Sequence, residues 1–232
     1  MNRLFIAGDS FASLSKDQQI GNSWSELLAN ELNLELVNLA RPASSNFAIA
    51  LQIEWIAEHI KKDDFVVVFL TDSYRKTLVD LTIPRDQSKH ILETQVLHKD
   101  QRQKNALKYS EKPRLINSIM DHSGDTKSYY RDWFDIEAQE IEDRLVITGS
   151  LARLSQVSNK FKVCKGGFGK YRNRNRKNAE IDHNTFCIGE HQFADYSVDY
   201  LTSLSVRTIY INHLDDITHK KFAILMKKEL SG

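Results

Sequence analysis

The chain has 232 residues, of which 41% are apolar and 27% charged, with 9 glycines and 3 prolines. That length suffices for one good core, and the composition excludes a collagen-like or low-complexity polymer; no apolar run nears the ~20 residues of a membrane-spanning helix. The formal net charge of +1 joins two unlike parts, because residues 160–177 hold eight Lys/Arg and no acid, leaving 24 basic and 31 acidic residues elsewhere.

The expectation is a single domain over residues 1–232. The four apolar residues Leu4 to Ala7 are too few for the roughly 7–15-residue core of a secretory signal, which points to a cytoplasmic protein. Cys164 and Cys187 form neither a CxxC pair nor a disulfide framework and read as ordinary thiols.

Leu4-Phe5-Ile6-Ala7 predicts a strand buried on both faces that ends in a Gly8-Asp9 turn. Ser23 and Glu26 stand at capping-box spacing, and Trp24, Leu27, Leu28 and Leu32 recur at helical intervals, predicting a one-sided helix over 23–32. Leu34 to Leu39 predicts the second strand. Pro42-Ala43-Ser44-Ser45-Asn46 is a turn rich in capping residues, followed by a helix whose buried stripe is Ala50, Ile53, Ala57 and Ile60. Phe65 to Leu70 is the clearest strand in the chain. Alternating strands and helices argue for an α/β fold: a three-layer parallel sheet flanked by helices, since parallel neighbours need crossover connections.

Between about 76 and 158 no strand run of comparable strength occurs, while Trp133, Ile136, Ile141 and Leu145 fall in a helical pattern. The expectation is a largely helical insertion, with loops or a lid over 85–125. Phe161 to Cys164 predicts a fourth strand and Val206 to Ile211 a last one. Asp215 or Asp216 then caps a closing helix with Phe222, Ala223, Met226 and Leu230 on its apolar face.

The first strand delivers Gly8-Asp9-Ser10 to the carboxyl end of the sheet, where open α/β folds place their sites. Gly8 permits a tight turn, Asp9 can fix it through side-chain to backbone bonds, and Ser10 is seated as a nucleophile. A serine needs a base within hydrogen-bond reach, and His213, just after the last predicted strand, stands where a sheet brings strand ends together.

These residues resemble the SGNH or GDSL-type serine hydrolases. Gly8-Asp9-Ser10-Phe11 is similar to the family's first block, Asn38 to Asn46 to its second, and His213 to Ala223 to its last. The resemblance covers about 1–75 and 200–232. It implies a serine esterase acting on a small-molecule ester, with Ser10 as nucleophile, His213 as base and no metal or organic cofactor. It also has gaps. Tyr210 stands where the family has an aspartate three residues before its histidine, Ala43 replaces a glycine, and Thr71-Asp72-Ser73-Tyr74-Arg75 replaces Gly-x-Asn-Asp.

Stand-ins for the missing groups lie nearby. Asp72 is the candidate to orient His213. The N–H groups of Ser10 and Ala43, with the Asn46 side chain, are the candidate oxyanion donors. Asp9, Ser73 and Arg75 are candidate substrate-binding residues, Arg75 as a bidentate partner for carboxylate or phosphate. An alternative base is His219 with Asp216, although both fall in the first turn of the closing helix. His59, His90, His98, His122, His183 and His191 show no metal-ligand spacing.

In the basic segment 160–177, Arg172, Arg174 and Arg176 alternate with small polar residues, so an extended chain would put three guanidinium groups on one face, and Lys177 adds a fourth candidate anion-binding residue beside them. Eight uncompensated charges attract anions, so a polyanion or an acidic partner is expected there. This supports an alternative function: a catalytically weak or inactive SGNH-like module that binds an anionic ligand, nucleic acid or a protein.

Overall fold

The structure is a computed structural model, and it describes residues 1–13, 23–41, 44–71, 73, 75–79, 115–117, 129, 132–164 and 216–231. In chain order the elements are β1 (Arg3–Ala7), α1 (Trp24–Glu31), β2 (Glu35–Asn38), α2 (Asn46–His59), β3 (Phe65–Phe69), β4 (Thr77–Val79), β5 (Leu115–Asn117), α3 (Ile136–Val157), β6 (Phe161–Cys164) and α4 (Asp216–Ser231).

Four strands form a parallel sheet in the order β2-β1-β3-β6. Leu4 to Ala7 of β1 lie opposite Phe65 to Val68 of β3 on one side, and Arg3 to Ile6 lie opposite Glu35 to Asn38 of β2 on the other. Every residue of the β1 run Leu4 to Ala7 is fully buried, because alternate side chains enter two different cores. Leu4, Ile6, Val67 and Phe69 meet Trp24 and Leu28 of α1 and Phe222 and Met226 of α4. Phe5, Ala7, Val66 and Val68 meet Ile49, Ile53 and Ile56 of α2 and Ile147, Leu151 and Leu154 of α3. The result is a three-layer α/β fold with, among the described residues, one helix pair on each face.

Local chemistry sets the helix ends. Ser23 and Glu26 form a complete capping box on α1. At its other end Asn33 takes φ of 51°, and the bonds Asn33 N to Asn30 O and Leu34 N to Ala29 O close a Schellman motif that turns the chain into β2. Ser45 caps α2 and Asp135 caps α3. Below the sheet, Arg3 in β1 grips the Asp64 carboxylate with Nε and Nη2, at 3.0 and 2.6 Å, tying the amino ends of β1 and β3.

The helix expected within 76–158 is α3, but it does not stand apart from the sheet. It packs on α2, covers β3 and β6 and leads directly into β6, so it is the crossover between those two parallel strands. The same stretch also holds β4 and β5, an antiparallel pair that the sequence pattern did not anticipate. The predicted strand 206–211 and the basic residues 165–177 lie outside the described residues. Among the described residues no helix is long and apolar enough to cross a membrane.

Candidate active site

The strand order has its switch point between β1 and β3: from β1 the chain crosses to β2 on one side, and from β3 to β6 on the other. Open parallel sheets bind ligands in the crevice at such a point, outside the carboxyl ends of the strands. The residues leaving β1 there are Gly8-Asp9-Ser10, and those leaving β3 are Leu70-Thr71.

Gly8 is required sterically. A Cβ on it would lie 2.8 Å from Ala12 Cβ, 2.9 Å from Phe69 Cβ and 3.0 Å from Phe69 O. Its backbone is held by the fully buried Gln52 of α2, which accepts from Gly8 N at 2.7 Å and donates to Gly8 O at 3.3 Å. Asp9 is also fully buried. Its Oδ1 accepts from Phe11 N at 3.0 Å, and its Oδ2 accepts from Thr71 Oγ1 and Arg75 Nη1, both at 2.8 Å. The next carbonyls are held as well: the Trp24 indole donates to Phe11 O at 2.9 Å and Asn38 Nδ2 donates to Ala12 O at 2.8 Å. In the middle of this turn Ser10 is half-buried, and among the described residues no group hydrogen-bonds its hydroxyl or its N–H.

Beside the turn lies a second buried polar cluster. Asn46 Oδ1 accepts from Thr71 N at 3.0 Å, and Nδ2 donates both to Thr71 O at 2.8 Å and to Asp143 Oδ2 at 2.9 Å. Gln139 donates to Asp143 Oδ1 at 2.7 Å, and Ser73 also hydrogen-bonds this carboxylate. Burial pushes the Asp143 carboxyl above the usual carboxylate range, against the opposing pull of Asn46, Ser73, Gln139 and the Lys76 charge.

The sequence-selected residues therefore separate into groups. Ser10 sits on the turn at the switch point. Asp9, Ser73, Arg75 and Asn46 are all buried around it, and each side chain makes at least one hydrogen bond inside the protein. Both amide hydrogens of Asn46 are taken by Thr71 O and Asp143, so the donor proposed for the oxyanion is bound elsewhere in this structure. His219 is buried in α4 and accepts the Trp24 N–H at Nδ1. Ala43, Asp72, His213, Arg172, Arg174, Arg176 and Lys177 lie outside the described residues. Gln52 and Asp143 were missed. Gln52 lies one residue before Ile53 in an apolar helix and carries no local signal, whereas the Gln139–Asp143 spacing of four residues marks a helical hydrogen-bonding pair. Among the described residues no group of three or more His, Cys, Asp or Glu could hold a metal ion.

Fold and site define an α/β protein, a parallel sheet between two helix layers with a serine turn at its switch point. No protein-family model matches the chain, and no curated protein matches it. Among solved structures it is similar to the crystal structure of protein YxiM from Bacillus subtilis, with a TM-score of 0.35 and 12% identity over 72% of this chain. The chain spans about a third (33%) of the length of that protein.

Proposed function

We propose that the chain is an SGNH-like serine ester hydrolase acting on an ester of a small polar or anionic molecule. Ser10 attacks the ester carbonyl while His213 takes the hydroxyl proton and returns it to the departing alkoxide; water then releases the acyl group by the same steps. The observation that carries this reading is the state of Ser10, half-buried at the switch point between two anchored residues, with hydroxyl and N–H unclaimed among the described residues. Its N–H, with that of Ala43, forms the proposed oxyanion donor pair.

Chain reach is compatible with His213 as base. His219 is two hydrogen bonds from the serine turn, through Trp24 N to its ring and through the Trp24 indole to Phe11 O. Residue 213 lies six positions upstream, a span of at most about 20 Å. Asp72 remains the proposed orienting acid.

The test is reaction with a fluorophosphonate, read by intact mass. An adduct on the wild type that vanishes in Ser10→Ala and His213→Ala is expected. No adduct on the wild type, under conditions that label an authentic esterase, overturns the reading.

One observation favours the second reading, a weak or inactive module that binds anions through 160–177. With Asn46 engaged by Thr71 and Asp143, the site has one oxyanion donor fewer than the sequence suggests, and one such donor is worth about 10²–10³ in rate.

A further inference from the structure

Resting on the hydrolase reading, we propose that Arg75 is a positioning residue that holds the nucleophile turn through Asp9, rather than a group that binds substrate. Its side chain is 4% exposed and that of Asp9 is 0% exposed, with Nη1 2.8 Å from Oδ2. A guanidinium so enclosed does not meet a ligand unless the core around it opens.

Among the described residues the same Asp9 carboxylate binds Arg75, Thr71 and Phe11. Oδ2 binds Arg75 and the Thr71 hydroxyl, which fixes the carboxylate to the exit of β3; Oδ1 then reaches forward to Phe11 N. Ser10 is thus flanked by Asp9, whose carboxylate is clamped, and Phe11, whose N–H is held by Asp9 and whose carbonyl is held by Trp24. With both neighbours anchored, the Ser10 backbone has little freedom, and its N–H and Cα–Cβ bond keep one direction.

The guanidinium of residue 75, 2.8 Å from Oδ2, holds the buried Asp9 carboxylate in place. A fully buried carboxylate without a cation is strongly disfavoured; it takes up a proton or turns toward water, and either change weakens the bond to Phe11 N. Because a nucleophile moved by about 1 Å loses on the order of 10²-fold in rate, this anchor acts on chemistry while touching no reacting atom.

The experiment compares the wild type with Arg75→Met and with the double variant Asp9→Asn/Arg75→Met, which removes both charges and leaves neither one orphaned. Thermal melting establishes which variants are folded, and the double variant supplies the answer if the single one is not. Two readouts are taken: the rate of Ser10 phosphonylation by a fluorophosphonate, and hydrogen exchange of the Ser10 and Phe11 amides. Phosphonylation at least about tenfold slower in a folded variant, with faster exchange confined to this turn, is expected. A folded variant that reacts at the wild-type rate overturns the proposal. If the wild type itself forms no adduct, the hydrolase reading fails; faster exchange confined to the turn then still supports the anchoring role of Arg75, and unchanged exchange overturns it.

Discussion

Nδ1 of His219 accepts the backbone N–H of Trp24 at 3.0 Å, joining two residues 195 positions apart. Trp24 opens α1, so its N–H is one of the donors that the helix itself leaves unbonded, and Ser23 caps Glu26 N instead. An accepting Nδ1 carries no proton, which makes this ring neutral with its proton on Nε2. His219→Ala leaves a buried N–H without an acceptor and removes a packed ring, and is expected to lower unfolding free energy by about 2–4 kcal/mol in urea titration. His219→Gln, whose carbonyl can take the N–H, recovers part of that loss. Ser10 phosphonylation persists in the folded His219 variants and disappears in His213→Ala; the reverse pattern would make His219 the base.

Gly8 and Gly149 make opposite predictions. An added Cβ at Gly8 meets Ala12 Cβ, Phe69 Cβ and Phe69 O at 2.8–3.0 Å, and none of these is the flexible end of a side chain. Gly8→Ala is expected to destabilise by about 1–3 kcal/mol and to slow Ser10 phosphonylation, since the turn moves with it. At Gly149, in α3, an added Cβ has nothing within 4 Å, so Gly149→Ala is expected to stabilise by up to about 1 kcal/mol through helix propensity. Paired thermal melts measure both shifts.

The part of the fold legible in sequence is the part encoded by neighbours along the chain. Leu4 to Ala7 and Phe65 to Leu70 read as buried strands because parallel strands covered on both faces need unbroken apolar runs, and the Ser23/Glu26 box marks its helix within four residues. β4 and β5 are three residues each, too short to show a period, and their pairing joins Thr77 to Asn117, distant in sequence. Asp143 reads as one more acid on a helix beside Glu137, Glu140 and Glu142, yet it is 2% exposed because its partners Asn46 and Ser73 come from other segments. The site divides along the same line. Ser10 announces itself through the Gly8-Asp9 turn, whereas the engagement of Arg75 with Asp9 and of Asn46 with Thr71 is a matter of tertiary contact, invisible in local pattern.

The basic segment gives the second reading its own test. Lys160 and Lys162 at its start lie beside Asp63 and Glu229, at 3.0 and 3.5 Å, so their charge is partly answered within the chain. Replacing Arg172, Arg174 and Arg176 together by Gln is expected to weaken binding to a single-stranded DNA oligonucleotide and to reduce the log–log salt slope by about 2. Lys160→Gln, the control, is expected to change it much less. Binding by fluorescence anisotropy at several salt concentrations decides; an unchanged slope in the triple variant removes the segment from any anion-binding role.

Two buried carboxyls drive stability in opposite directions with pH. Burial alone would raise Asp64, but the Arg3 guanidinium and the N–H groups of Lys61 and Arg3 outweigh it and hold the carboxyl below its ordinary 3.8. Its contribution is therefore present above about pH 3.8 and is lost as pH falls through the lower folded value. Asp143 stands above the same 3.8, so the folded protein binds a proton there that the unfolded chain has released, and stability declines as pH rises from 3.8 through the raised value. Asp143→Asn removes that decline. The amide carbonyl still accepts from Asn46, and Gln139 can turn to accept from the new NH2, so the variant is expected to be more stable than the wild type on the neutral side and close to it in acid. Asp64→Asn behaves oppositely: it loses about 1.5–3 kcal/mol at neutral pH, where the charge-assisted bonds to Arg3 are missing, and converges on the wild type in acid. Urea unfolding of the three proteins across about pH 3 to 8 measures both slopes. Parallel curves for the wild type and Asp143→Asn would mean that Asp143 titrates in the folded protein as it does in the unfolded chain.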